Sequence, residues 1–221
     1  MTKPLTSGPH PKTRGRTIHW ARLYDWGNRW LSFGRDRAIR ELVLDLAQLK
    51  SGDKVLDVGC GPGSLAIAAK AKVGWAGAVS GIDASPEMIE VAGRKAARLG
   101  VDVVFQVGLI ENLPFPNGQF DVVLSTFMLH HLPEDLKRTG IAEIYRVLKP
   151  GGRFLGVDFQ LPTNSVIHTL ARLLCGHHMT HSDLRRLPPI MEEAGFTDVE
   201  MGTTKYRAVA FVRGKAAQLA A

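Results

Sequence analysis

The chain has 221 residues, 45% of them hydrophobic, and a formal net charge of +7. That is enough for one sizeable core, so a single domain is expected. Cys60 and Cys175 show no CxxC or zinc spacing, which argues against a disulfide framework or a metal site and fits a reducing, cytoplasmic setting. No apolar run approaches the roughly 18–20 residues of a membrane span.

The charge is concentrated at the start. Residues 1–40 hold nine Lys/Arg against Asp25 and Asp36, and residues 41–221 balance at 19 against 19. The first 17 residues are rich in Pro, Gly and basic groups and lack an apolar signal core, so they read as a disordered basic tail. Such a tail is either a solvated lead segment or one drawn to an anionic surface. A chain basic throughout would point to nucleic acid; this one does not.

Residues 18–50 read as helical. Within them, 38–49 carries apolar residues at 38, 39, 42, 43, 46 and 49, a helical period suited to packing on a sheet. The earlier part holds Trp20, Trp26 and Trp30 with Tyr24 and Phe33, an aromatic concentration beyond what one packing face needs.

Residues 55–63, VLDVGCGPG, read as a buried strand with Asp57 near its end, followed by a glycine loop that opens a helix. Twenty residues past Gly63, at the tip of the next apolar segment, stands Asp83. Glycines admit close approach of a ligand, and an acid on the next strand tip accepts from a ribose diol. This describes a nucleoside site at the carboxyl edge of a parallel sheet. A dinucleotide loop runs G-x-G-x-x-G, with the pyrophosphate at the helix start. Here Gly59, Gly61 and Gly63 run G-x-G-x-G, Ser64 stands where the third glycine belongs, and the first basic residue after the loop is Lys70. Adenosine without phosphates is the expected ligand, and a nicotinamide dehydrogenase is disfavoured.

The alternation continues. Ser85 and Pro86 open a helix to about Gly100; 101–107 and 120–125 are strands three and four; 134–148 is a helix; and 153–158 is strand five. Residues 198–203 and 206–212 are candidates for the last two strands, and Pro188-Pro189 splits the preceding segment into two short helical pieces. Such βαβ alternation means an α/β fold, a parallel sheet with helices on both faces.

At this point the chain resembles the class I S-adenosylmethionine (SAM)-dependent methyltransferases. VLDVGCGPG is similar to their first motif and GIDASPEMIE (81–90) to their second. Residues 111–132 resemble their fourth-strand region, and RVLKPGGRFLGVDF (146–159) the segment after it. The resemblance implies a Rossmann-like, doubly wound sheet of seven strands, mostly parallel with the last antiparallel. It implies SAM as cofactor and S-adenosylhomocysteine as product. By the same resemblance Gly59, Cys60 and Gly61 line the methionine and adenosine, Asp57 orients the loop or reaches the methionine ammonium through water, and Asp83 binds the ribose hydroxyls. Ala84 and Met88 border the adenine, and Ser125 and Thr126 meet the methionine moiety. Leu109 stands where the family usually carries an adenine acceptor, leaving the Ile110 amide as a donor; weaker binding is expected. Asp83→Ala is expected to raise the SAM dissociation constant at least tenfold with little change in the ligand-free thermal midpoint.

Tyr24 and His130 are the candidate catalytic residues; neither role follows from spacing alone. His177, His178, His181 and Cys175 lack a metal-ligand pattern, and no metal is expected. Residues 18–37 and 160–195 are expected to cover the substrate. The lead helix resembles that of ubiquinone/menaquinone C-methyltransferases, and bacterial phospholipid N-methyltransferases share much of the pattern. A small or lipid-like, largely apolar acceptor is therefore expected, methylated at a quinone-type carbon or an amine nitrogen. The basic, Trp-rich N-terminus suits transient contact with an anionic membrane surface. The alternatives are a SAM- or nucleoside-binding protein without turnover and a methyltransferase of an unrelated metabolite. Nucleic-acid substrates are disfavoured, because the position after strand four reads Ser-Thr-Phe-Met and neither cysteine follows a proline.

Overall fold

A computed structural model describes residues 36–160, 184–206 and 209–218. Seven strands form one sheet: β1 Lys54–Val58, β2 Ala78–Asp83, β3 Val104–Val107, β4 Phe120–Thr126, β5 Leu148–Phe159, β6 Phe196–Thr203 and β7 Val209–Ala216. Their spatial order is β3-β2-β1-β4-β5-β7-β6. The first five pair in parallel, and β7 lies antiparallel to both β5 and β6. The order reverses between β1 and β4, the kind of switch point where open α/β sheets bind ligands.

Five helices are described: α1 Asp36–Ala47, α2 Ser64–Val73, α3 Pro86–Leu99, α4 Glu134–Val147 and α5 Leu187–Glu193. Strand side chains alternate between faces, and β4 shows how this divides the core. Val123 joins Leu56, Ile82, Phe154, Ile141 and Ile144 on the α4 side. Val122 and Leu124 join Val43, Leu44, Ala66, Ala69 and Val73 on the α1–α2 side. Each fully buried Leu or Val is worth about 1.5–3 kcal/mol over leaving it in water, so the two layers dominate stability.

Several boundaries move for identifiable reasons. β3 starts at Val104, not at 101, because the Val101 amide donates to Ala96 O and completes the cap of α3 at Gly100. β5 starts at Leu148 because the Lys149–Gly152 stretch, expected to lie outside the sheet, stays in it through a bulge opposite β4, with Lys149 held to Asp121 at 2.7 Å. β7 starts at Val209, and Tyr206 belongs to the turn before it, where Thr204 Oγ1 accepts the Tyr206 N–H. The two short helical pieces expected around Pro188-Pro189 are a 3₁₀ turn, Leu184–Arg186, and α5, which takes both prolines in its first turn where their missing N–H groups cost nothing.

Of the expected substrate cover, residues 36, 37, 160 and 184–195 are described, and Leu184, Leu187, Ile190 and Met191 are buried in the α4-side core. The basic tail, Tyr24, the three N-terminal tryptophans and the 175–181 Cys/His group lie outside the described residues. Among the described residues no helix is long and apolar enough to cross a membrane.

Candidate functional site

The strand tips of β1 to β3 build one half of the site. β1 runs buried to Val58, and the chain then reverses through Gly59 to Gly63, all three glycines at positive φ (73°, 50° and 75°). The Gly59 and Cys60 amides both donate to Ile82 O, at 2.9 and 2.8 Å, pinning the loop to β2. Asp83 then ties it down: Oδ2 accepts the Gly61 N–H and Oδ1 the Ser85 N–H, each at 2.9 Å. Ser85 in turn caps α3 by accepting the Met88 N–H, so Asp83 is not that helix's cap. The carboxylate expected to meet a ribose is thus also the brace that shapes the glycine loop.

Two of the loop glycines, Gly59 and Gly61, serve different ends. A Cβ on Gly59 would stand 2.4 Å from Met128 Cγ, so that space is filled by the chain after β4. A Cβ on Gly61 would meet nothing within 4 Å. Gly61 is therefore the place where the loop faces open space, and Gly59 is the place where it touches β4's extension.

Asp57 carries the sharpest electrostatic signal. It is 1% exposed, and neither carboxylate oxygen has a hydrogen-bond partner among the described residues. Burial, with Asp83 nearby, pushes its pKa from 3.8 up to about 7; the Ala66 N–H opposes this without reaching hydrogen-bond geometry. Burial raises Asp83 too, while its bonds from Ser85 and Gly61 pull it back. Burial is also the main cause that raises the Cys60 thiol well above its ordinary range, which fits a small packed side chain and not a nucleophile. Two neighbouring carboxylates, one of them buried and without a hydrogen-bond partner among the described residues, make a place that favours a cation.

The remaining expected residues follow along the same edge. Gly108 donates to Asp83 O, which holds the segment with Leu109 and Ile110 beside β2's tip. Leu109 is half-buried and bridges to Asn112; the Ile110 side chain is buried under Gly140 of α4. Ala84 is half-buried, while Met88 lies deeper at 3% exposure. Ser125, at the end of β4, is buried with its hydroxyl unpartnered, and Thr126 is half-buried next to it.

The expectation that no basic residue stands near the loop needs correcting, though not on account of Lys70, whose Nζ donates to Gly77 O at 2.6 Å. Lys95 of α3 reaches the start of α2 instead, donating to Ser64 Oγ at 2.9 Å. A cation is therefore present at the helix start. The phosphate-free reading rests on the glycine spacing and on unpaired Asp57, which would repel a phosphate.

The strand tips of β4 and β5 build the other half. His130 lies in a 3₁₀ turn, Leu129–His131, just past β4. Its Nδ1 is 2.7 Å from Asp158 Oδ1, and its backbone N–H donates to Asp158 Oδ2 at 2.9 Å. Asp158, on β5 and 2% exposed, was not singled out from the sequence. The available signal was an acid inside the apolar run Phe154–Phe159 at a parallel strand's carboxyl end. Phe127, a non-glycine residue at φ 51°, tilts against Phe159 with ring centroids 4.6 Å apart.

A methyltransferase-domain family matches residues 55–152. The chain is 38% identical over 150 residues to a demethylmenaquinone methyltransferase of Thermus thermophilus, covering 68% of this chain and 67% of that one. It is 30% identical over 218 residues to a ubiquinone/menaquinone biosynthesis C-methyltransferase of Escherichia fergusonii, covering 88% and 86%. Among solved structures, a SAM-dependent methyltransferase from Aquifex aeolicus matches with TM-score 0.65 at 25% identity, over 80% of this chain and 89% of that one.

Proposed function

Since the chain belongs to the S-adenosylmethionine-dependent methyltransferases, we propose that it transfers a methyl group from SAM to a small, flat, apolar acceptor of the quinone type. The observation that carries the cofactor half is the buried, unpartnered Asp57 carboxylate beside the Asp83-braced loop. SAM brings an ammonium, a sulfonium and a ribose diol, and this donor set fits each. Asp57 meets the ammonium, the free lone pairs of Asp83 accept from the ribose hydroxyls, and Gly61 admits the ligand to the loop. Ala84 and the exposed sliver of Met88 border the adenine, with Leu109 and the Ile110 amide at its edge; Ser125 and Thr126 face the methionine end.

SAM supplies an already activated methyl group when bound. The protein's task is then to hold the acceptor in line and keep water out, and positioning of this kind lowers a barrier by up to roughly 7–11 kcal/mol. The acceptor half is supported by the Phe127–Phe159 pair beside His130, which offers a flat apolar surface next to a polar group. It is supported too by the relatives, which are named for methylating quinones. The basic residues 1–40 would bring the protein to the anionic surface where such an acceptor resides; vesicle co-sedimentation with and without residues 1–17 tests this.

Isothermal titration with SAM and S-adenosylhomocysteine, followed by turnover of menadiol against phosphoethanolamine, tests the main reading. Binding of both ligands with methylation of menadiol is expected. Methylation of phosphoethanolamine alone would move the acceptor to nitrogen, and absence of SAM binding would sink the proposal.

A further inference from the structure

Asp158 makes three hydrogen bonds, and all three fix its geometry relative to one imidazole. Oδ1 takes Nδ1 of His130 at 2.7 Å and the Phe159 N–H at 2.7 Å; Oδ2 takes the His130 N–H at 2.9 Å. Held by two backbone amides, the carboxylate cannot swing away. A carboxylate at Nδ1 selects the tautomer that carries its proton there, which leaves the lone pair on Nε2. The ring is 18% exposed, so it is sheltered without being sealed.

Its surroundings have the character of an acceptor site. Phe159, 36% exposed as a residue, stands with its ring edge-on to the imidazole at 5.7 Å and tilts against Phe127. Just past the end of β5, the buried Gln160 Oε1 has no partner among the described residues. Buried polar atoms left unpaired cost about 1–3 kcal/mol each, a cost that a polar ligand removes. The titratable groups in contact with the imidazole among the described residues are Asp158 from β5 and His131, whose ring is tilted 46° to it with centroids 3.9 Å apart.

We propose that His130 is the base that takes the hydroxyl proton of a flat aromatic acceptor, with Asp158 as its positioning residue. This rests on the methyltransferase reading above. The acceptor O–H bond breaks and its proton goes to Nε2. The freed electron pair attacks the sulfonium methyl, either from that oxygen or, through the ring, from the conjugated carbon next to it. The S–CH3 bond breaks with its pair left on sulfur, so the sulfonium charge is cancelled. In the carbon case the ring C–H proton is then lost to water, and the oxygen recovers its proton from the imidazolium as aromaticity returns. Either way one methyl is transferred and one proton is released.

The test uses the full chain, SAM and menadiol under anaerobic conditions, with SAM binding measured alongside. His130→Gln should lower kcat at least 100-fold, within the ordinary range for a lost general base. The menadiol KM and the SAM dissociation constant should stay within about threefold. The residual rate of that variant should climb about tenfold per pH unit between pH 7 and 9, because the acceptor must ionise unaided, and more steeply than the wild-type rate. Asp158→Asn should lower kcat about tenfold and, in ligand-free protein, shift the imidazole nitrogen resonances of His130 toward the other tautomer. A His130→Gln rate within threefold of wild type, or the same pH dependence in both, overturns the assignment. So does unchanged tautomer balance in Asp158→Asn. Wild type that binds SAM but leaves menadiol unmethylated overturns the acceptor class. Wild type that does not bind SAM removes the underlying reading instead.

Discussion

Asp158 Oδ1 lies 2.7 Å from His130 Nδ1, and the partner oxygen Oδ2 accepts the backbone N–H of the same histidine at 2.9 Å. Burying a carboxylate to 2% exposure costs several kcal/mol, which the three hydrogen bonds it receives must offset. Bonds to a charged group are worth about 1.5–3 kcal/mol each, so the balance is favourable. Removing the side chain leaves the His130 and Phe159 amides without an acceptor. Asp158→Ala is therefore expected to destabilise the fold by about 2–3 kcal/mol, and Asp158→Asn, which keeps an accepting oxygen, by less. Urea unfolding of the two variants measures the difference. Equal stability of the alanine variant and wild type would contradict the bonding described.

Gly59 and Gly61 separate folding from binding. Gly59→Ala brings a Cβ to 2.4 Å from Met128 at a φ of 73°, so it should lower the thermal midpoint clearly. Gly61→Ala meets nothing within 4 Å and should carry only the left-handed backbone cost of about 1–2 kcal/mol. The same methyl would intrude on the ligand's space, so SAM affinity should drop at least tenfold. Calorimetry of both variants, scanning and titrating, settles the pair. A Gly61→Ala protein with full SAM affinity would mean that the loop's open side is not where the cofactor lies.

Asp83→Ala should raise the SAM dissociation constant at least tenfold, as its place after the loop implies. The ligand-free midpoint should fall as well, contrary to the expectation from sequence, because the Gly61 and Ser85 amides both depend on that carboxylate. Asp83→Asn, with one accepting oxygen retained, should recover part of the stability and little of the affinity. Thermal unfolding without ligand, beside titration with SAM, distinguishes brace from ligand contact.

These contrasts show which parts of the site a sequence can display. The loop, Asp57 and Asp83 were legible because their chemistry sits in contiguous motifs with a fixed spacing, and the strand–helix alternation around them is periodic. The His130–Asp158 pair was half legible. His130 drew attention, but Asp158 is 28 residues away and reaches it only because β4 and β5 pair in parallel with Thr126 beside Val157. Contacts of that kind depend on register, as do Met128 over Gly59 and Lys95 on Ser64. The strand ends that shifted did so where a helix cap claimed an amide, as at Val101, or where a bulge prolonged pairing, as at Lys149.

Asp57 makes the protein's pH behaviour predictable in sign. Burial pushes its pKa up to about 7 from the ordinary 3.8, so between those limits the folded protein holds a proton that the unfolded chain has released. Asp57's contribution to stability therefore falls as pH rises from about 4 to about 7, then levels off where both states are ionised. Asp57→Asn removes that slope, and the variant should be more stable than wild type at pH 8 without ligand. SAM binding should show the opposite trend. An ammonium next to Asp57 favours the carboxylate, so affinity should strengthen as pH rises toward about 7, with a proton released on binding below that value. In Asp57→Asn the affinity should be weaker and its pH dependence flatter. Urea unfolding at pH 5 and 8, with titrations in buffers of different ionisation enthalpy, reads both effects. A wild-type protein whose SAM affinity is unchanged between pH 5 and 8 would place the ammonium elsewhere, whatever the stability curve shows.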